Sequence, residues 1–145
     1  MTVSQAPRTS VDPHSHQSGG TTEPRRWVID IPPGTILLNT NNRMHWAKQY
    51  RIKKNILEIA QQLATIQRIP HIERAIVTGL LHQPDRRRRD PHNWSLTYKE
   101  AVDGIVRAGV LTDDSSQYLT DGGIQDGEPA GRLSFSLLIE EAPAP

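Results

Sequence analysis

Apolar residues first gather at Trp27 to Ile31, WVIDI. This run reads as a strand, and Pro32, Pro33 and Gly34 end it, because proline gives no ladder donor and glycine permits a turn. The segment LLNTNNRMHW that follows is rich in Asn, so Asn41 or Asn42 is expected to cap the next helix. From Met44 to Gln67 the apolar positions Tyr50, Ile56, Leu57, Ala60, Leu63 and Ala64 recur at spacings of three, four and seven, which marks one buried face of a long helix. Lys48, Arg51, Lys53 and Lys54 lie on its other face, where an ordinary solvated surface is the plain reading. Ile69-Pro70 closes the helix, and Arg74 to Gln83, RAIVTGLLHQ, has the β-branched enrichment of a second strand.

Helical spacing returns at Trp94, Tyr98, Ala101, Val102, Ile105 and Val106, and Gly109 stands where a left-handed residue ends a helix. At 100° per residue, Asp103 falls roughly 40° from Lys99, so the two are neighbours on the polar edge. Gln117 to Thr120 reads as a short strand, Asp121 to Gly131 as a glycine-rich loop, and Arg132 to Glu140 as a final strand with Leu133, Phe135 and Leu137 on one face. The expected fold is α/β, a small mixed sheet with two helices packed on it in the order β-α-β-α-β-β.

Composition narrows the class. A chain of 145 residues is long enough for one core and too short for two comfortable ones. Residues 1–24 carry no hydrophobic period and read as a disordered tail, residues 25–141 as the domain, and 142–145 as a frayed end. The chain shows no secretory h-region and no run of membrane-spanning length, which predicts a soluble, cytoplasmic protein without membrane partners. There are no cysteines, so a thiolate metal site is excluded and any metal must use oxygen or imidazole ligands. The formal charge of +1 is no global signature of nucleic-acid binding, but the cations are locally sorted.

The sorting is sharpest between Pro84 and Ser115, PDRRRRDPHNWSLTYKEAVDGIVRAGVLTDDS. Cations beside carboxylates suit phosphate chemistry, in which bound divalent metal neutralises phosphoryl charge and activates water. Asp90, Asp103, Asp113 and Asp114 are the candidate ligands, and oxygen donors without thiols favour Mg²⁺ or Mn²⁺. The plain alternative is that Asp85 and Asp90 bracket the arginines as surface ion pairs, Lys99 and Asp103 form a helical pair, and Asp113-Asp114 is a turn.

The same stretch resembles the RusA family of Holliday-junction resolvases, small dimeric endonucleases that cut four-way DNA junctions with Mg²⁺ or a similar metal. The resemblance rests on PDRRRRD, Asn93, the Lys99-to-Asp103 spacing, Ala108-Gly109, Asp113-Asp114 and the later GRLSFSL from Gly131. With a weaker match around Trp27 to Trp46 it spans most of the chain after residue 24. It implies a metal site at Asp90, His92 and Asp114, with Lys99 assisting. His92 stands where the family carries a second carboxylate, and the interval from Asn93 to Lys99 is longer than the family's. Two repairs follow: His92 ligates through imidazole, or Asp103 supplies the missing oxygen, which is the favoured one. Arg86, Arg87, Arg88 and Arg89, with Lys48 and Arg51, would hold the DNA backbone of a four-way junction, and a homodimer would match its two-fold related cuts. The family implies a bacterial or phage setting, in recombination and repair. Two other functions compete, a catalytically weakened protein that binds branched DNA and a small α/β protein-interaction module.

Overall fold

The computed structural model describes residues 23–85 and 91–143, with residues 91 and 92 described by their backbone alone. Its elements are β1 (Arg26–Ile31), α1 (Trp46–Ile66), β2 (Ala75–His82), a 3₁₀ turn (Pro91–Trp94), α2 (Ser95–Arg107), β3 (Leu119–Asp126) and β4 (Ser134–Glu141). They form a mixed α/β fold, with one four-stranded sheet in the order β1-β4-β2-β3. β4 runs antiparallel to both β1 and β2, while β3 lies parallel to β2. β1, β2 and β3 therefore share one direction. Both crossovers, through α1 and α2, move the same way across the sheet, and the two helices pack on each other, so they share one face, as crossovers of the usual right hand require.

That face holds the core. Ile29, Ile31, Val77, Leu81, Phe135, Leu137 and Ile139 are all at most 1% exposed, and they occupy the alternate positions that a period of two sends to one side. α1 covers them with Ile52, Ile56, Ala60 and Ala64, and α2 with Thr97, Ala101, Val102, Gly104 and Ile105. Thr97 is buried because its hydroxyl accepts from the Leu38 amide and donates to the Leu38 carbonyl, which ties the segment before α1 to α2. Across the opposite face, Ser136 joins three strands by donating to Asp30 on β1 and meeting His82 Nε2 on β2 at 2.8 Å.

Several boundaries differ from the pattern. α1 is capped by His45, whose Nδ1 accepts from the Ala47 amide, and not by Asn41 or Asn42. The spacing predicts Tyr50 on the buried face of α1, but it is 60% exposed, while Ile52 takes the core position. The glycine-rich pattern from Asp121 predicts a loop, yet β3 continues to Asp126. Between the Val77/Asp121 and Gly79/Ile124 pairs β3 carries one more residue than β2, a bulge occupied by Gly122 and Gly123. Gly123 has φ 78° and a Cβ on Gly122 would overlap Thr78, so a bulge of this kind needs the glycines that suggested a loop. Gly109 does end α2 with φ 89°. The expected tail lies outside the described residues up to 22, and Ala142 still donates to the Arg74 carbonyl.

Gly104 lies where α2 meets α1. Gly to Ala within an ordinary helix gains about 1 kcal/mol. Here a Cβ would stand 2.5 Å from the Leu57 carbonyl oxygen and 2.7 Å from the Ala60 Cβ, neither of which can swing aside. Overpacking of this kind costs about 1–3 kcal/mol. Gly104→Ala is accordingly expected to lower the urea midpoint; a raised midpoint would mean that the helices can part without loss.

Candidate functional site

A cleft of about 570 Å³ opens between α2 and the edge strand β3, lined by Tyr98, Lys99, Val102, Asp114, Ser116, Leu119, Thr120 and Asp121. Each element contributes for a local reason. α2 presents Lys99 on its polar edge, one residue beyond Tyr98. The Asp113-Asp114 turn leads the chain into β3, and Asp113 Oδ1 accepts from the Asp114 amide at 2.7 Å, a side-chain turn bond that commits Asp113 to its own backbone. On β3, Asp121 pairs in register with the buried Val77 and so points toward the helices, as Leu119 does two residues earlier.

Asp121 is held by its own strand. Its Oδ1 accepts from the Gly123 amide at 2.7 Å across the bulge. Tyr98 reaches it from α2. That phenol donates to the Val77 carbonyl at 2.8 Å, with the Asp121 carboxylate beside it. Burial first, then the hydrogen bond and charge of Asp121, push the phenol well above its usual range, so Tyr98 stays a neutral donor at pH 7.

Lys99 meets Asp103 at 3.4 Å, the expected i,i+4 pair. Asp103 does not itself line the cleft. Glu100 follows Lys99 in the chain: burial raises its carboxyl, the Asp103 charge adds to the rise, and Lys53 of α1 and Lys99 oppose it. The Lys99 ammonium is thus tethered by an exposed pair at the cleft mouth, where it remains free to turn toward an incoming anion.

Of the residues singled out by sequence, the structure brings Lys99 and Asp114 to one cleft, with Asp103 behind Lys99 and Asp113 in the adjoining turn. Asp90 and Arg86 to Arg89 lie outside the described residues, and so does the His92 side chain. The 3₁₀ turn that follows Asp90 in the chain packs against β3, the strand that carries Asp121. Lys48 and Arg51 are on α1, where they flank a shallow groove of about 280 Å³ with Ile36, Ile52 and Asn55.

Sequence reasoning missed Asp121 and the polar role of Tyr98. The available signal was parity: a strand beginning at Leu119 places Asp121 on the same face two residues on.

Among the described residues no three His, Asp or Glu side chains gather into a metal-sized group. The donor chemistry of the cleft still fits Mg²⁺, which characteristically keeps several waters and binds through one or two carboxylates plus substrate phosphate. Asp114 and Asp121 are the two carboxylates there. No helix among the described residues is long and apolar enough to cross a membrane. No family model matches this chain, and no curated protein matches it.

Proposed function

We propose that this chain is a metal-dependent endonuclease of the RusA kind, cutting four-way DNA junctions by phosphodiester hydrolysis. The observation that carries the reading is the meeting of Lys99 and Asp114, from separate elements, at one cleft that also holds Asp121. A lone helical pair or a surface turn would not require this convergence.

In this reading Asp114 and Asp121 hold Mg²⁺ or Mn²⁺, with Asp90 and His92 as further ligands; Asp103, paired with Lys99 and outside the cleft lining, is not one of them. The metal supplies neutralisation of phosphoryl charge and an activated water. Lys99 places its ammonium against the phosphodiester oxygens that gain charge during displacement. Asp103 positions Lys99, and the Gly123 amide of the bulge holds the Asp121 carboxylate in orientation beside the neutral Tyr98 phenol. Arg86 to Arg89, Lys48 and Arg51 contact backbone phosphates, which bind by charge and spacing without reading bases. A homodimer would present two such clefts to the two-fold related strands of a junction.

The test is a labelled four-way junction incubated with the full chain, in Mg²⁺ and in EDTA. Paired nicks in opposite arms that appear only with Mg²⁺ are expected. An intact but shifted junction under both conditions would replace the nuclease with a protein that binds branched DNA, a reading that His92 in place of a carboxylate favours. Neither cleavage nor a shift would leave the protein-interaction module.

A further inference from the structure

We propose that Trp46 and Tyr50 form an aromatic platform on which α1 stacks unpaired DNA bases. Both are large side chains left in water, Trp46 at 74% and Tyr50 at 60% exposure. They stand one helical turn apart, so their side chains are neighbours on the same stripe of α1.

Trp46 is held ready. The His45 ring stacks on it with centroids 5.6 Å apart and planes 29° from parallel. The His45 ring is in turn fixed by its capping bond to the Ala47 amide at 3.1 Å. A ring oriented in this way loses little freedom on binding, which is what a stacking surface requires.

The surrounding charge chooses the occupant. The first turn of α1 has no acidic residue, and Lys54, one turn beyond Tyr50 on the same stripe, is exposed, while Lys48 and Arg51 are exposed farther round the helix beside the Ile36 groove. A protein-binding patch characteristically depletes lysine around its aromatic centre. Aromatic faces among cations are instead the combination that binds single strands, because every base has a face to stack and a phosphate to pair.

The platform also lies near the cleft. Thr97 binds the Leu38 backbone and the Asn93 carbonyl accepts from the Thr40 amide, so the segment that leads into Trp46 is fastened to the start of α2. Unpaired nucleotides on α1 would thus be held at the end of the molecule from which Lys99 projects. In a four-way junction, whose arms are fully paired, the bases such a platform takes are those whose pairs open at the branch point.

This proposal rests on the reading of the chain as a DNA-binding protein, and the experiment separates the two. Anisotropy titrations in EDTA would compare wild type, Trp46→Ala, Tyr50→Ala and Trp46→Phe on labelled oligo-dT, a blunt duplex and a four-way junction. Trp46→Ala is expected to weaken oligo-dT binding by about 10-fold or more, the scale of one lost base stack. Duplex affinity should move less than about two-fold, and Trp46→Phe should keep most of the oligo-dT affinity, since any aromatic face stacks. Equal losses on duplex and oligo-dT, or none on either, would overturn the platform while leaving DNA binding intact. Unchanged DNA affinity with conversion of a dimer to a monomer, seen by sedimentation, would make the patch a protein interface. Wild type that binds none of the three DNAs overturns both readings. The expected losses in a protein that never cuts a junction would retain the platform and discard the nuclease.

Discussion

Asp114→Asn is expected to lower Mg²⁺-dependent junction cleavage by at least ~10²-fold, the scale of losing one key electrostatic group, while metal-free junction binding stays equal or tightens. Asp114 lines the cleft with Lys99 and Asp121. If two carboxylates share a metal-free cleft beside DNA phosphate, each repels the substrate until a cation arrives. Asn keeps the shape of Asp and removes that charge, so binding and cutting should come apart. Asp121→Asn should behave in the same way, with one added feature: Asn can still accept from the Gly123 amide, so the bulge is preserved. Binding isotherms in EDTA and single-turnover cleavage in Mg²⁺ measure the two effects. Near wild-type cutting by Asp114→Asn would remove this cleft from the chemistry. Joint loss of binding and cleavage in both variants would make the aspartates part of the fold.

Phe135→Ala is expected to cost about 3–5 kcal/mol of stability, the usual toll for emptying a buried aromatic site. Phe135 is the only phenylalanine of the chain, fully buried on β4 and flanked in register by Ile31 on β1 and Leu81 on β2. Its ring lies over Gly79, where a Cβ would approach Phe135 Cζ to 2.7 Å and Tyr98 Cδ1 to 2.9 Å. A glycine beneath the ring cannot fill the space left behind. Against a total of about 5–15 kcal/mol this is a large fraction, worth roughly 10–20 °C in melting temperature. Gly79→Ala alone should also destabilise, by overpacking, but together with Phe135→Ala it should cost less than the sum, since the new methyl enters the vacated space. Strict additivity in urea titrations would show that the two positions do not share that space. The loss also reaches the cleft, because Tyr98, which lines it with Asp121, packs over the same glycine.

Much of the architecture was legible as period. β1, β2, β4 and both helices fall within a few residues of the runs that indicated them, because each buries one face against a common core and must repeat at two or at 3.6. The Lys99 and Asp103 pair was equally legible, since i,i+4 neighbours meet in any helix. Asp121 was not. A TDGG sequence favours a turn by local propensity, and only the parallel edge beside β2, with a bulge to absorb the glycines, makes it strand. Tyr50 failed in the opposite sense: it satisfied the apolar spacing of α1, but the helix is rotated so that Ile52 and Ile56 meet the sheet.

By itself, then, the sequence determined the order and kind of the elements, the cations and carboxylates between Pro84 and Ser115, and the chemistry those residue types can support. These follow from side-chain type and short-range spacing, which tertiary packing does not alter. Tertiary structure alone decided that Lys99, Asp114 and Asp121 line one cleft and that Trp46 and Tyr50 face water. Such proximities depend on strand order, helix rotation and the register of β3 on β2. They are set by how separate elements pack around the core, and no local pattern in the chain encodes that packing.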